Sequence, residues 1–218
     1  AGGSKLSEMT KHLYILRHGE TEMNRLGIVQ GSGVDAPLNE TGWWQAAAFF
    51  EKYKDVPFDA VFTSTLQRTQ QTVEHFIQKG IPWQQFAEIN EMNWGALEGK
   101  VTTRATHEAY LATVNKWKSG ELEAKLAGSE SAAELGARIK KFVDTLRQRD
   151  EEYLLICSHG RALRCLISVL KNLPLTVMDQ FAHTNTGLYK ARRLGADFYI
   201  EIENDTSHLT EAQLVFHN

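Results

Sequence analysis

Two short apolar runs in this chain end in the same way. Leu13-Tyr14-Ile15-Leu16 stops at Arg17-His18-Gly19-Glu20, and Tyr153-Leu154-Leu155-Ile156-Cys157 delivers Ser158-His159-Gly160. Each run has the length and continuity of a strand buried on both faces. A core strand should end in a neutral turn. A cation and an imidazole at its exit point instead to an anion and to chemistry. Two strands ending in His-Gly confine the fold to one that brings both exits to a single edge.

The rest of the pattern supplies such a fold. Strands are expected at 12–17, 59–63 and 153–158, with a weaker one at 84–89. A final pair, 186–192 and 197–203, flanks Leu194-Gly195-Ala196 as a hairpin. Helices are expected at 40–54, 65–79, 104–118, 130–149 and 160–171. Ser64 with Gln67 three residues on fits a capping box, and Asn172 and Pro174 close the helix at 160–171. Strands separated by helices imply an α/β fold with a mostly parallel, covered sheet. In such sheets the site lies beyond the carboxyl ends of the strands, which places His18, His159 and Thr63-Ser64 together.

The chain has 218 residues, 42% of them hydrophobic, which suffices for one core and one domain over residues 9–218. Residues 1–8 read as a remnant of cloning, with Met9 the native start. A net charge of -3 gives no case for a nucleic-acid partner. No segment approaches the roughly 18–20 apolar residues of a membrane span, so no membrane partner is expected. No signal peptide is visible, and Cys157 and Cys165 fall in apolar segments as reduced core residues. A cytoplasmic location follows, with no metal framework and no cofactor. Oligomeric state is not legible.

Four side chains reach the expected edge: Arg17, His18, His159, and Arg68 from the opening turns of the helix after the second strand. Two guanidiniums and two imidazoles are too much positive potential to bury without an anion. Arginine forks match phosphate oxygens, and helix N-termini after Ser64 and Gly160 would add N–H donors. The expected ligand is a phosphoryl group on a small metabolite. A neutral His18 nitrogen can attack phosphorus to give a phosphohistidine, if the opposite nitrogen donates to a backbone carbonyl in the turn after Gly19. A protonated His159 would stabilise the transferring group. The leaving oxygen needs an acid, for which Glu91 is the best candidate, although Glu88 and Glu98 lie nearby and spacing does not choose among them.

These residues match a family. Leu16-Arg17-His18-Gly19-Glu20-Thr21-Glu22-Met23-Asn24 closely resembles the signature of the histidine phosphatase, or phosphoglycerate mutase-like, superfamily. The blocks Gln30-Gly31 to Gly42, Thr63 to Thr69, Glu91 to Lys100, Gly128-Ser129-Glu130-Ser131 and Ser158-His159-Gly160 resemble its later motifs in order. The resemblance implies a three-layer α/β/α sandwich around a mostly parallel sheet. It implies His18 as nucleophile, Glu91 as proton donor, and Arg17, Arg68, His159 and Gly160 around the phosphate, with Asn24 as a neighbour. Gln30 and Gly31 would touch substrate, and no metal is implied. Asn93 stands where many relatives have a histidine, and Gly31–Asp35 is one residue longer than usual.

The same pocket supports hydrolysis or mutase chemistry. Mutase relatives carry paired arginines in an insertion after the acid segment, whereas between Met92 and Ala137 this chain has Arg104 alone among arginines. Arg192-Arg193 lie at the far hairpin. Missing cationic cover favours a phosphatase over a cofactor-dependent mutase. A non-catalytic phospholigand-binding module is the third reading, disfavoured because every catalytic position is filled. Specificity is expected from residues 99–128 and from the loop Gln30 to Asp35. His183, beside Thr184-Asn185-Thr186, lies where the family approaches its pocket. His12, His75, His208 and His217 have no such context and read as surface or satisfied core. Trp43, Trp44, Phe49 and Phe50 read as core.

Overall fold

A computed structural model describes residues 10–216; the expected cloning remnant at 1–8, the expected start at Met9, and His217 lie outside the described residues. The strands are β1 (Lys11–Arg17), β2 (Ala60–Thr63), β3 (Trp83–Gln85), β4 (Tyr153–Ser158), β5 (Leu188–Leu194) and β6 (Asp197–Asp205). They form one sheet in the order β3-β2-β4-β1-β5-β6. β3, β2, β4 and β1 run parallel to one another, while β5 and β6 add antiparallel. The helices are α1 (Glu22–Leu26), α2 (Glu40–Tyr53), α3 (Gln67–Thr72), α4 (Glu74–Gln78), α5 (Arg104–Lys118), α6 (Ala132–Gln148), α7 (Gly160–Leu170) and α8 (Ser207–Phe216).

Side-chain alternation along the strands divides the core in two. Leu13, Ile15, Phe62, Leu154 and Ile156 pack on one face against Trp117 of α5, Phe142 of α6 and Leu163 and Leu166 of α7. Tyr14, Leu16, Val61, Leu155 and Cys157 pack on the other against Phe49 of α2 and Phe76 of α4. Both faces are thus covered, which is why the central strands read as continuous apolar runs. α6 buries Leu135, Ile139, Phe142, Val143 and Leu146, and its N-cap Ser131 accepts the Glu134 N–H.

Register fixes the site. Arg17 pairs with Ser158 at the ends of β1 and β4, so His18 and His159 leave the sheet side by side. Two local readings differ from the structure. The weak strand is Trp83–Gln85 alone, and Ala87–Ile89 forms a 3-10 turn. The expected helix at 65–79 is two short helices separated at Val73, and Ser64 does not cap it. Leu66 is the N-cap position, and the Gln67 N–H donates instead to Asp35 Oδ1 at 2.8 Å. The Ser64 hydroxyl is used elsewhere, as follows.

Candidate active site

His18 follows β1 and is 3% exposed. Its Nδ1 lies 2.7 Å from the Gly19 carbonyl oxygen. A carbonyl can only accept, so Nδ1 carries the proton and Nε2 keeps its lone pair. Burial, then the charges of Arg68 and Arg17, holds the ring well below its ordinary protonation range. Gly19 itself is required here, because a Cβ would stand 2.8 Å from the Gly42 carbonyl oxygen.

The ring of His159 lies 5.2 Å from that of His18, centroid to centroid. Its Nε2 is 2.8 Å from Ser64 Oγ. The hydroxyl network assigns the tautomer. Thr69 Oγ1 donates to the Leu66 carbonyl at 2.8 Å, so Ser64 donates to Thr69 at 3.0 Å. With its one proton so placed, Ser64 accepts from His159 Nε2–H and from the Leu66 N–H. The buried His159 Nδ1 has no partner. Burial first, then Arg68, His18 and Arg17, keeps this ring neutral as well.

Arg68 is fully buried, with Nη1 donating to the Val34 carbonyl and Nη2 to that of Gly31 at 3.3 Å. The longer 31–35 loop therefore wraps the guanidinium and caps α3 through Asp35. The Nε atoms of Arg17 and Arg68 are buried without partners. Burial and the neighbouring cations push Arg17 down to about 10. The unpartnered Nε–H donors fit a bound oxyanion, and the His159 Nδ1 joins them once that nitrogen is protonated.

Glu91 is distinguished from Glu88 and Glu98 by its surroundings. Its Oε1 accepts the Met92 and Ala162 N–H groups at 2.8 and 3.0 Å, and its Oε2 accepts the Arg161 N–H at 3.0 Å. Glu98 instead receives N–H bonds from Trp94 and Gly33, and Glu88 enters this region through its backbone carbonyl, which accepts from Arg138. This arrangement corrects one expectation. The Arg161 and Ala162 amides of α7 serve the Glu91 carboxylate, and those before α3 serve Asn90, Ser64 and Asp35, so these amides are not free for phosphate, whereas the Gly160 N–H stands outside that network. Asn93 is exposed and caps its own turn by accepting the Gly95 N–H.

The remaining predicted residues are placed as follows. Asn24 Oδ1 accepts from the Thr21 N–H and from Asn185 Nδ2, which also donates to the His18 carbonyl. Gln30 Oε1 takes the Thr21 hydroxyl at 2.8 Å. A cavity of about 270 Å³ opens over Arg17, Glu91, Gly160 and His183. Of the predicted residues, His18, Asn24, Gln30, Gly31, Arg68 and His159 do not line it, whereas Thr102, Thr106, His107 and Tyr110 do. His183 packs so closely on Gly160 that a Cβ there would meet its ring at 2.5 Å. Burial, then Arg17, Arg164 and Arg161, takes His183 down to about 3.

Sequence reasoning missed Arg161 and Arg164, which α7 brings to the cavity wall. The available signal was two cations three apart on an otherwise apolar helix directly after His159. Arg104, by contrast, is 95% exposed and pairs with Glu108. The cationic cover that residues 99–128 lack is thus partly supplied from α7.

A profile described as the Histidine phosphatase superfamily (branch 1) matches residues 13–206. The chain is 30% identical over 208 residues to a Yersinia pestis protein named "Probable phosphoglycerate mutase GpmB", covering 90% of this chain and 94% of that one. The fold is similar to the alpha-ribazole phosphatase from Shigella flexneri, with TM-score 0.79, 25% identity, and coverage of 89% and 96%. It is also similar to a mutant phosphoserine phosphatase from Entamoeba histolytica in complex with phosphoserine, with TM-score 0.77, 25% identity, and coverage of 91% and 99%.

Proposed function

The chain belongs to branch 1 of the histidine phosphatase superfamily, and from that premise we propose that it hydrolyses small phosphomonoesters through a phosphohistidine on His18. The observation that carries this reading is the His18 Nδ1 to Gly19 carbonyl bond of 2.7 Å, which leaves Nε2 as a free nucleophile beside the unpartnered Arg17 and Arg68 Nε–H groups.

His18 Nε2 attacks phosphorus in line, and the bond from phosphorus to the alcohol oxygen breaks. The electron pair leaves on that oxygen, which takes a proton from Glu91. Glu91 Oε2 accepts one N–H bond where Oε1 accepts two, so Oε2 has room for the transferable proton. Arg17, Arg68 and His159, the last once its Nδ1 is protonated on phosphate binding, hold the equatorial oxygens through the loose transition state. The Glu91 carboxylate then takes a proton from water, whose oxygen attacks phosphorus, and the bond to His18 breaks to release inorganic phosphate.

The test is turnover of 4-nitrophenyl phosphate in the presence of a chelator, native protein against His18→Ala, with trapping of an alkali-stable, acid-labile phosphoenzyme. Turnover and trapping in the native protein and neither in the variant is the expected result. Unchanged turnover by His18→Ala overturns the reading. Mutase activity is the second reading, favoured by the Arg161 and Arg164 pair at the cavity. Interconversion of phosphoglycerate isomers primed by a bisphosphate would establish it.

A further inference from the structure

Beyond the phosphate end, the cavity wall carries more positive than negative charge among the described residues, with Arg17, Arg161 and Arg164 lining it against the Glu91 carboxylate. Arg161 Nη1 and Arg164 Nη1 both donate to a single carboxylate oxygen, Asp179 Oδ1, at 2.9 and 3.2 Å. Two guanidiniums thus share one hydrogen-bonded carboxylate, with Glu91 the further negative charge acting on Arg161. Both line the cavity, and Asp179 does not. The Arg161 side chain is 3% exposed and the Arg164 side chain 21%. A surplus cation in so dry a setting is costly unless an anion joins it.

The neighbouring groups are turned toward such an anion. Arg161 Nη2 donates to the Tyr110 hydroxyl at 2.5 Å, so that oxygen is an acceptor and its own proton is free to be given away. Trp94, Tyr110 and Trp117 surround the Arg161 guanidinium, with ring centroids 5.8, 5.9 and 5.5 Å from its carbon. That cage locks the guanidinium in place and pre-orients it. Arg164 Nε is held by the Phe181 carbonyl at 2.9 Å, and its Nη1 by Asp179. The Arg164 charge also reaches Arg17 and His183, so the cluster stands near the phosphate end of the same cavity.

We propose that Arg161, Arg164 and Tyr110 form a second anion subsite, so that the protein selects phosphomonoesters whose alcohol carries another anionic group, a carboxylate or a second phosphate. This rests on the reading of the cavity as a phosphomonoester site. Tyr110 and Arg164 contact the second anion. Arg161, held in its cage, polarises the Tyr110 hydroxyl and supplies charge.

The test uses ω-carboxyalkyl phosphates of two to five methylenes, each compared with the ω-hydroxyalkyl phosphate of equal length. Alkanediol bisphosphates form a third arm. At the fitting length the anionic substrate should exceed the hydroxyl one in kcat/KM by about tenfold or more, as for a charge-assisted hydrogen bond. The larger of the two anionic ratios tells carboxylate from phosphate. In Arg164→Met and in Tyr110→Phe that ratio should collapse toward one. Dissociation constants of the same compounds for His18→Ala, measured by calorimetry, separate the two possible failures. A preference in Kd without turnover in the native protein keeps the subsite and sinks the hydrolase. Turnover without preference at any length, or a preference untouched in both variants, overturns the subsite.

Discussion

The Arg161 amide donates to Glu91 Oε2 at 3.0 Å while the Arg161 side chain stands in the wall of the same cavity. One residue therefore fixes the proposed proton donor through its backbone and the proposed specificity cluster through its guanidinium. The acid segment and α7 are separated widely in sequence, and these amide bonds are what join them. The acid is consequently as well positioned as the helix it caps.

Replacement of Glu91 by Gln should show both roles. The amide keeps one acceptor but turns an NH₂ toward N–H donors at the start of α7. We expect a loss of about 1–3 kcal/mol in stability from the unsatisfied donors, read by urea unfolding. Catalysis should divide by leaving group. Alkyl phosphates, which need protonation, should fall about 10²–10⁴-fold in kcat/KM, and 4-nitrophenyl phosphate much less. Equal losses on both substrates would remove Glu91 from the acid role.

Stability should decline on acidification because of three buried histidines and the partly buried His183. His18 and His159 are held well below 6.5, chiefly by burial; His183 is taken to about 3 and His208 to about 4 by the same cause. Above pH 6.5 these groups are neutral folded and unfolded, and they make no difference. Below it the unfolded chain binds protons that the folded chain refuses. Stability is therefore lost from pH 6.5 down to each folded value, with a slope approaching about 1.4 kcal/mol per pH unit for each ring. Urea unfolding at pH 7, 6 and 5 measures this, and a flat profile contradicts it.

How far all this was legible depends on whether the controlling contact was local. The two apolar runs ending in histidine were readable because strand burial and strand exit are adjacent in sequence, and the parallel register of β1 and β4 then places His18 beside His159. The Gly19 carbonyl partner was also local, one residue away. Ser64 and Gln67 matched a cap by spacing, yet the Ser64 hydroxyl is occupied by His159, which only the tertiary fold brings near. Arg161 and Arg164 resembled ordinary helix cations, since their burial depends on α5 and the 175–180 turn closing over α7. The Arg161 and Ala162 amides read as free for phosphate because Glu91, their partner, comes from a distant loop.

Inorganic phosphate should bind, stabilise the protein, and carry a proton with it. The neutral His159 tautomer presents a lone pair at Nδ1, which repels an oxyanion until protonated. Binding should therefore take up roughly one proton near pH 8, through His159 or as bound monoanion. At a phosphate concentration about 100 times Kd the gain should be about 2.7 kcal/mol, seen as a raised Tm. Calorimetry in buffers of differing ionisation enthalpy counts the proton. Zero net uptake would mean that the tautomer assigned through Ser64 and Thr69 is wrong.

Arg138 of α6 should behave as a positioning residue for the acid. Its Nη1 donates to the Glu88 and Asn90 carbonyls at 2.7 and 2.8 Å, and its Nη2 to the Glu91 carbonyl at 3.1 Å. Glu130, 15% exposed, balances it at 2.7 Å. Arg138→Met leaves that carboxylate without its cation and three carbonyls without donors, and should cost about 1–3 kcal/mol, the scale for unsatisfied polar groups in a partly buried setting. Arg138→Lys restores the charge but not the fork, so recovery should be partial. Because Glu130 is coupled to Arg138, the pair Glu130→Gln with Arg138→Met should lose less than the sum of the single changes. A purely structural role would lower activity on all substrates alike. Positioning of Glu91 predicts a larger fall in kcat for alkyl phosphates than for 4-nitrophenyl phosphate, with KM little changed, measured in whichever variant remains folded at the assay temperature.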